Sequence, residues 1–112
     1  MSNILAGIPQ ITPQELKARI DRGDKLFLLD VREPHEREIC SIGGELMPKD
    51  TVHAHIERLP RDVEIIVYCR SGGRSQAVAQ ALKTKHGFER VANLAGGVLR
   101  WSDDVDPSVT KY

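Results

Sequence analysis

The sequence predicts an α/β domain: a parallel sheet with helices on both faces. Two apolar runs, "LFLLDV" (Leu26 to Val31) and "VEIIVY" (Val63 to Tyr68), have the length of strands and little polar alternation. Strands covered on both faces read this way. Helix-like segments separate the strand-like ones, so the connections between the main strands are too long for hairpins. At 112 residues, 40% hydrophobic and 29% charged, the chain has the size and composition of one domain, taken as residues 1–112.

The elements follow in order. Thr12 with Glu15 forms a T-x-x-E capping box and Pro13 suits the first helical position, so a helix starts there. Leu16 and Ile20, four apart, define its apolar face, and Gly23 marks its stop. "LFLLDV" is the first buried strand, and "REPHERE" after it reads as a short polar turn or helix. A short strand is expected within Ile42 to Met47, and a helix through "VHAHIERL", capped by Asp50 or Thr51 and ended by Pro60. "VEIIVY" is the second buried strand. A helix starting near Arg74 or Ser75 comes next, with Ala77, Val78, Ala81 and Leu82 on one face and Gly87 as its stop. "RVANL" supplies a last strand, "GGVLRW" begins a final helical turn with Trp101 as a core anchor, and "SDDVDPSVTKY" lies on the surface.

Composition narrows the partners. Sixteen basic residues balance sixteen acidic ones, so no overall field draws nucleic acid or an anionic membrane. Five scattered aromatic residues make no stacking platform for bases. No apolar run approaches a bilayer-spanning length, and the first residues lack the pattern of a secretion signal. Cys40 and Cys69 are the only cysteines, which suits free thiols and a cytoplasmic location. His53 and His55 stand two apart, a spacing that turns them to different faces of a helix, so no metal is expected.

The chemistry concentrates in "EIIVYCRSGGRSQAVAQAL", Glu64 to Leu82. Ligands of open parallel sheets gather at the carboxyl ends of the strands, where Cys69 falls. The following helix points unpaired amides back at it, and Gly72 and Gly73 let the loop curl into an anion nest. Helix dipole, amides and the charges of Arg70 and Arg74 all favour a thiolate. A lone cysteine after a strand is more often a small buried hydrophobe, but the glycines, arginines and helix start around it favour function. A nucleotide-binding P-loop ending at Ser75 needs glycine at Tyr68 and lysine at Arg74, and fails at both. Cysteine-dependent phosphatases place one residue more between cysteine and arginine than the four here, Arg70 to Gly73. The shorter loop encloses a smaller anion.

Three ordered motifs together resemble the rhodanese family of sulfurtransferases. "LLDVREPHEREICSIGG" is similar to its first signature, "IIVYCRSGGRSQAVAQAL" to its cysteine loop, and "GFERVANLAGGVLRW" to its closing signature. The resemblance implies a five-stranded parallel sheet flanked by helices and transfer of sulfane sulfur through a persulfide, with no cofactor. It assigns Cys69 as the nucleophile and Arg74 as the loop-closing arginine. Arg70, Ser71, Gly72, Gly73 and Ser75 form the loop that binds the persulfide, with Arg70 steering an anionic donor or partner. Asp30 and Arg32, at the end of a buried strand, are expected at the same edge as supporting residues, Asp30 accepting hydrogen bonds that orient nearby loop groups. The implied donors are thiosulfate or a protein persulfide. The ending also resembles rhodanese domains joined to adenylyltransferases, which implies a sulfur-carrier protein as acceptor. The alternative is a rhodanese-like binding or regulatory module without turnover.

The chain departs from the family pattern at one place. The usual G-H-I-x-G-A reads Cys40, Ser41, Ile42, Gly43, Gly44, Glu45. Cys40 is a relay thiol if it lies beside Cys69, and otherwise an idle or buried one.

Overall fold

The computed structural model describes residues 7–112, so the sequence expectations on the first six residues lie outside the described part. Five parallel strands form one sheet in the order β1-β5-β4-β2-β3: β1 (Gln10–Ile11), β2 (Leu26–Asp30), β3 (Glu45–Leu46), β4 (Glu64–Tyr68) and β5 (Val91–Leu94). The helices are α1 (Pro13–Asp21), α2 (Pro34–Ile39), α3 (Gly73–His86) and α4 (Gly97–Asp104).

The two-residue period of β4 divides its side chains between two core layers. Ile65, Val67 and Cys69 pack with Leu29, Val31, Val91 and the α3 residues Val78, Ala79 and Leu82. Ile66 and Tyr68 pack on the other face with Leu16 of α1 and Val98 and Trp101 of α4. Helices therefore cover both faces, and the cysteine emerges on the α3 side.

Local chemistry explains several boundaries. Thr12 accepts the Glu15 amide at 3.1 Å while the Glu15 carboxylate accepts the Thr12 amide at 2.8 Å, closing the capping box with Pro13 at the start of α1. Gly87 ends α3 in the left-handed region, φ 72°. "REPHERE" contains a true helix, α2, which opens with Pro34.

Four details differ from expectation. The segment after β3 forms two 3₁₀ stretches, Lys49–Thr51 and His53–Arg58, with non-helical backbone at His55. Ile20 is 41% exposed because α1 buries only Pro13 and Leu16. The buried face of α3 is Ser75, Val78, Ala79 and Leu82, leaving Ala77 exposed. Strand β1 was not expected from the sequence, whereas β3, Glu45–Leu46, falls within the short strand expected at Ile42 to Met47.

Candidate active site

Cys69 follows β4 directly, and the chain then turns through Arg70, Ser71 and Gly72 into α3. Gly72 caps that helix with φ 108°, a left-handed conformation that side chains resist. The conformation aims the Gly72 amide back at the cysteine, 3.1 Å from Sγ. The Ser75 amide, in the first turn of α3, reaches the same sulfur at 3.4 Å, as does the Ser75 Oγ. Gly73 is an ordinary first helical residue with open space around its Cα, so only one of the two glycines bends the loop.

The sulfur is more enclosed than its place at a sheet edge suggested: Cys69 is 1% exposed and belongs to the core layer under α3. The reason is the short loop, which folds back over the side chain it cradles. Burial alone pushes the thiol up. Hydrogen bonding at Ser75, with the amides of Gly72 and Ser71, more than offsets it, and the group ionises below the ordinary thiol value.

The outer face of the loop is anchored by α4. Val98 and Leu99 donate their amides to the carbonyls of Cys69 and Arg70, at 3.0 and 3.1 Å. Loop N–H groups thus turn inward to sulfur while these two carbonyls turn outward to a helix start. Gly97, with φ 58°, permits the approach. A Cβ there would fall against the Cys69 carbonyl and 2.5 Å from that of Arg70.

Arg74 reaches the site through a partner not singled out in the sequence. Its two terminal nitrogens donate to the two carboxylate oxygens of Glu36 at 2.7 and 2.9 Å. Glu36 is 5% exposed. The Arg74 guanidinium outweighs burial and holds its carboxyl down at about 2. In return Arg74 is raised above the ordinary arginine value. The signal was present in "DVREPHE", whose last residue is Glu36, but the partner lies 38 positions away.

Asp30 and Arg32 end up at the same sheet edge but on the Tyr68 side. Both are fully buried. Arg32 donates Nε and Nη2 to the Asp30 carboxylate, each at 2.9 Å, and Nη2 also reaches the Cys40 carbonyl at 2.8 Å. Asp30 accepts the Arg32 amide and the Tyr68 hydroxyl as well, at 3.1 and 3.2 Å. The pair fixes the turn into α2, and through α2 the carboxylate that holds Arg74. Cys40 packs against the Tyr68 layer, and its sulfur accepts from Arg32 at 3.5 Å. The two cysteines therefore line opposite sides of the sheet.

Arg70 and Ser71 are exposed at the mouth of the loop, and the Arg70 guanidinium lies 5.6 Å from the Tyr112 ring centroid. Asn93 of β5, another residue without a sequence signal of its own, sits 4% exposed beneath Ser75. His53 and His86 approach each other at 3.1 Å, and the described residues hold no cluster of three or more His, Cys, Asp or Glu suited to a metal ion. No described helix is long and apolar enough to cross a membrane.

A parallel α/β domain with a cysteine cradled by loop amides at a strand end defines a class. The family model described as "Rhodanese-like domain" matches residues 12–104. The chain belongs to the rhodanese-like family. A probable adenylyltransferase/sulfurtransferase MoeZ of Mycobacterium tuberculosis is 38% identical over 105 residues, 91% of this chain and 26% of that protein. The chain thus spans about a quarter of that relative. A sulfurtransferase of Allochromatium vinosum is 32% identical over 97 residues, covering 85% of this chain and 89% of that one. The crystal structure of a rhodanese-related protein from Thermoplasma volcanium superposes with a TM-score of 0.79 at 28% identity, covering 93% and 99% of the two chains.

Proposed function

We propose that this domain moves sulfane sulfur through a persulfide on Cys69. The observation that carries the reading is the convergence of the Gly72 and Ser75 amides on Cys69 Sγ at the carboxyl end of β4. Dipoles fixed in place before charge arrives stabilise an anionic sulfur without reorganisation.

In the first step the Cys69 thiolate attacks the outer sulfur of a donor such as thiosulfate. The Cys69 S–S bond forms, the donor S–S bond breaks, and sulfite leaves with the bonding pair. In the second, a thiophilic acceptor attacks the terminal sulfur and Cys69 leaves as thiolate. With cyanide the product is thiocyanate, and charge balances at each step. The terminal sulfur of the persulfide lies within the curl of Arg70 to Arg74. Arg74, held by Glu36, keeps that curl in shape. Exposed Arg70 draws an anionic donor to a mouth through which the enclosed sulfur is reached.

A protein persulfide can serve as donor in place of thiosulfate. The likeness to a relative named adenylyltransferase/sulfurtransferase supports an acceptor of the sulfur-carrier class, whose activated carboxyl terminus would receive the sulfur.

Thiosulfate labelled at its outer sulfur, given with cyanide, tests the reading. Labelled thiocyanate and sulfite in equal amounts from the native chain, and neither from Cys69→Ser, is the expected result. No turnover with thiosulfate or with a persulfide donor overturns it and favours a binding module.

A further inference from the structure

We infer that Asn93 is a positioning residue that withholds the Ser75 hydroxyl proton from the Cys69 sulfur and so limits how acidic the thiol becomes. The inference deepens the sulfur-transfer reading, on which its functional meaning rests, but its readout is ionisation alone, measured without donor or acceptor.

Ser75 Oγ carries one hydrogen and has three acceptors around it: Asn93 Oδ1 at 2.5 Å, the Gly72 carbonyl at 3.2 Å and Cys69 Sγ at 3.4 Å. The shortest contact claims the proton if the Asn93 amide truly presents oxygen there, and the neighbouring groups decide that. Asn93 Nδ2 faces Gln10 Oε1 at 2.9 Å and the Gly72 carbonyl at 3.4 Å. Gln10 Nε2 in turn faces the Ile8 carbonyl at 3.4 Å and Gln76 Oε1 at 2.6 Å. Backbone carbonyls only accept, so an amide oxygen turned towards Ile8 or Gly72 would meet oxygen, although Gly72 also takes the Gln76 amide at 3.1 Å. Turning Asn93 over would set its oxygen against Gly72 and force Gln10 to turn as well, setting oxygen against Ile8. The chain of amides is thereby polarised in one direction, from the Ile8 carbonyl to the Ser75 hydroxyl.

With its proton on Asn93, Ser75 presents lone pairs to the sulfur. That suits a neutral thiol, which donates S–H to Oγ. A thiolate keeps the fixed amides of Gly72 and Ser75 but gains the hydroxyl only when Ser75 turns away from Asn93. Among charged groups, Arg74 of α3 interacts electrostatically with the sulfur and is neutralised in part by Glu36 of α2, while Arg32 of the β2–α2 turn is buried against Asp30 and Arg70 is exposed on the loop. The first turn of α4 has no acidic residue, and β5 contributes only neutral Asn93. None of these charges changes in the variants below.

The test is the ionisation midpoint of Cys69, read from ultraviolet thiolate absorbance against pH in a Cys40→Ser background. Asn93→Leu, close in shape but without an acceptor, frees the hydroxyl and lowers the midpoint by roughly half a unit to one unit, the effect of about one neutral hydrogen bond. The same substitution in a Ser75→Ala background leaves the midpoint where Ser75→Ala alone puts it. A rise with Asn93→Leu, no change, or an equal fall without Ser75 overturns the inference. Should Asn93→Leu not fold, Ser75→Ala decides: little change supports withholding, whereas a rise of about one unit shows that the hydroxyl already serves the sulfur.

Discussion

Glu36 of α2 grips Arg74 of α3 through both carboxylate oxygens, joining the turn after β2 to the loop after β4. Glu36 is buried, so truncating it leaves a guanidinium without its partner in a half-dry site. Glu36→Ala is expected to cost about 3 kcal/mol by urea unfolding and to loosen the first turn of α3.

The same pair sets an acid dependence. Glu36 ionises at about 2 in the folded protein, against 4.5 ordinarily, so its contribution is complete above the unfolded value and lost as pH falls through that of the fold. Stability of the native chain should decline from about pH 5 towards pH 2 more steeply than that of Glu36→Gln. Parallel declines in denaturant titrations at matched pH would remove Glu36 as the cause.

Gly97 lets α4 reach the outer carbonyls of the cysteine loop. Gly97→Ala combines a left-handed backbone with a backbone clash, and more than about 2 kcal/mol of destabilisation is expected. Gly73→Ala, at an ordinary helical position with open space, should be neutral or slightly stabilising, so thermal unfolding of the two variants separates strain from a general need for glycine.

Much of this architecture was readable because it rests on short-range chemistry. The Thr12–Glu15 box and the Gly87 stop act over a few residues, and the apolar character of β2 and β4 announces a sheet covered on both sides. Cys69 at the end of β4 followed from the same reasoning. Partners distant in sequence were not readable: Glu36 meets Arg74, and Asn93 meets Ser75, only once α2, α3 and β5 converge. Periodicity also misplaced the α3 face, because Ala77 and Ala79 are alike in size and polarity and only packing tells them apart. Strand β1 escaped notice because two residues of backbone pairing with β5 leave no apolar run to see.

Arg70 stands exposed at the loop mouth, with no contact to Sγ among those described. If Arg70 steers the donor as proposed, Arg70→Ala should raise KM for thiosulfate several-fold at low salt, leave kcat within about twofold, and show the difference shrinking as salt is added. A fall in kcat with unchanged KM in steady-state assays would instead place Arg70 in the reaction itself.

The central claim is that the amide-lined loop supports a charged sulfur bound to Cys69. Intact mass after brief exposure to thiosulfate and desalting tests it most directly. The native chain should gain about 32 Da, lose it on adding cyanide, and show the added sulfur on the Cys69 peptide, with Cys69→Ala unchanged. No gain, or a gain that maps to Cys40, would contradict the account.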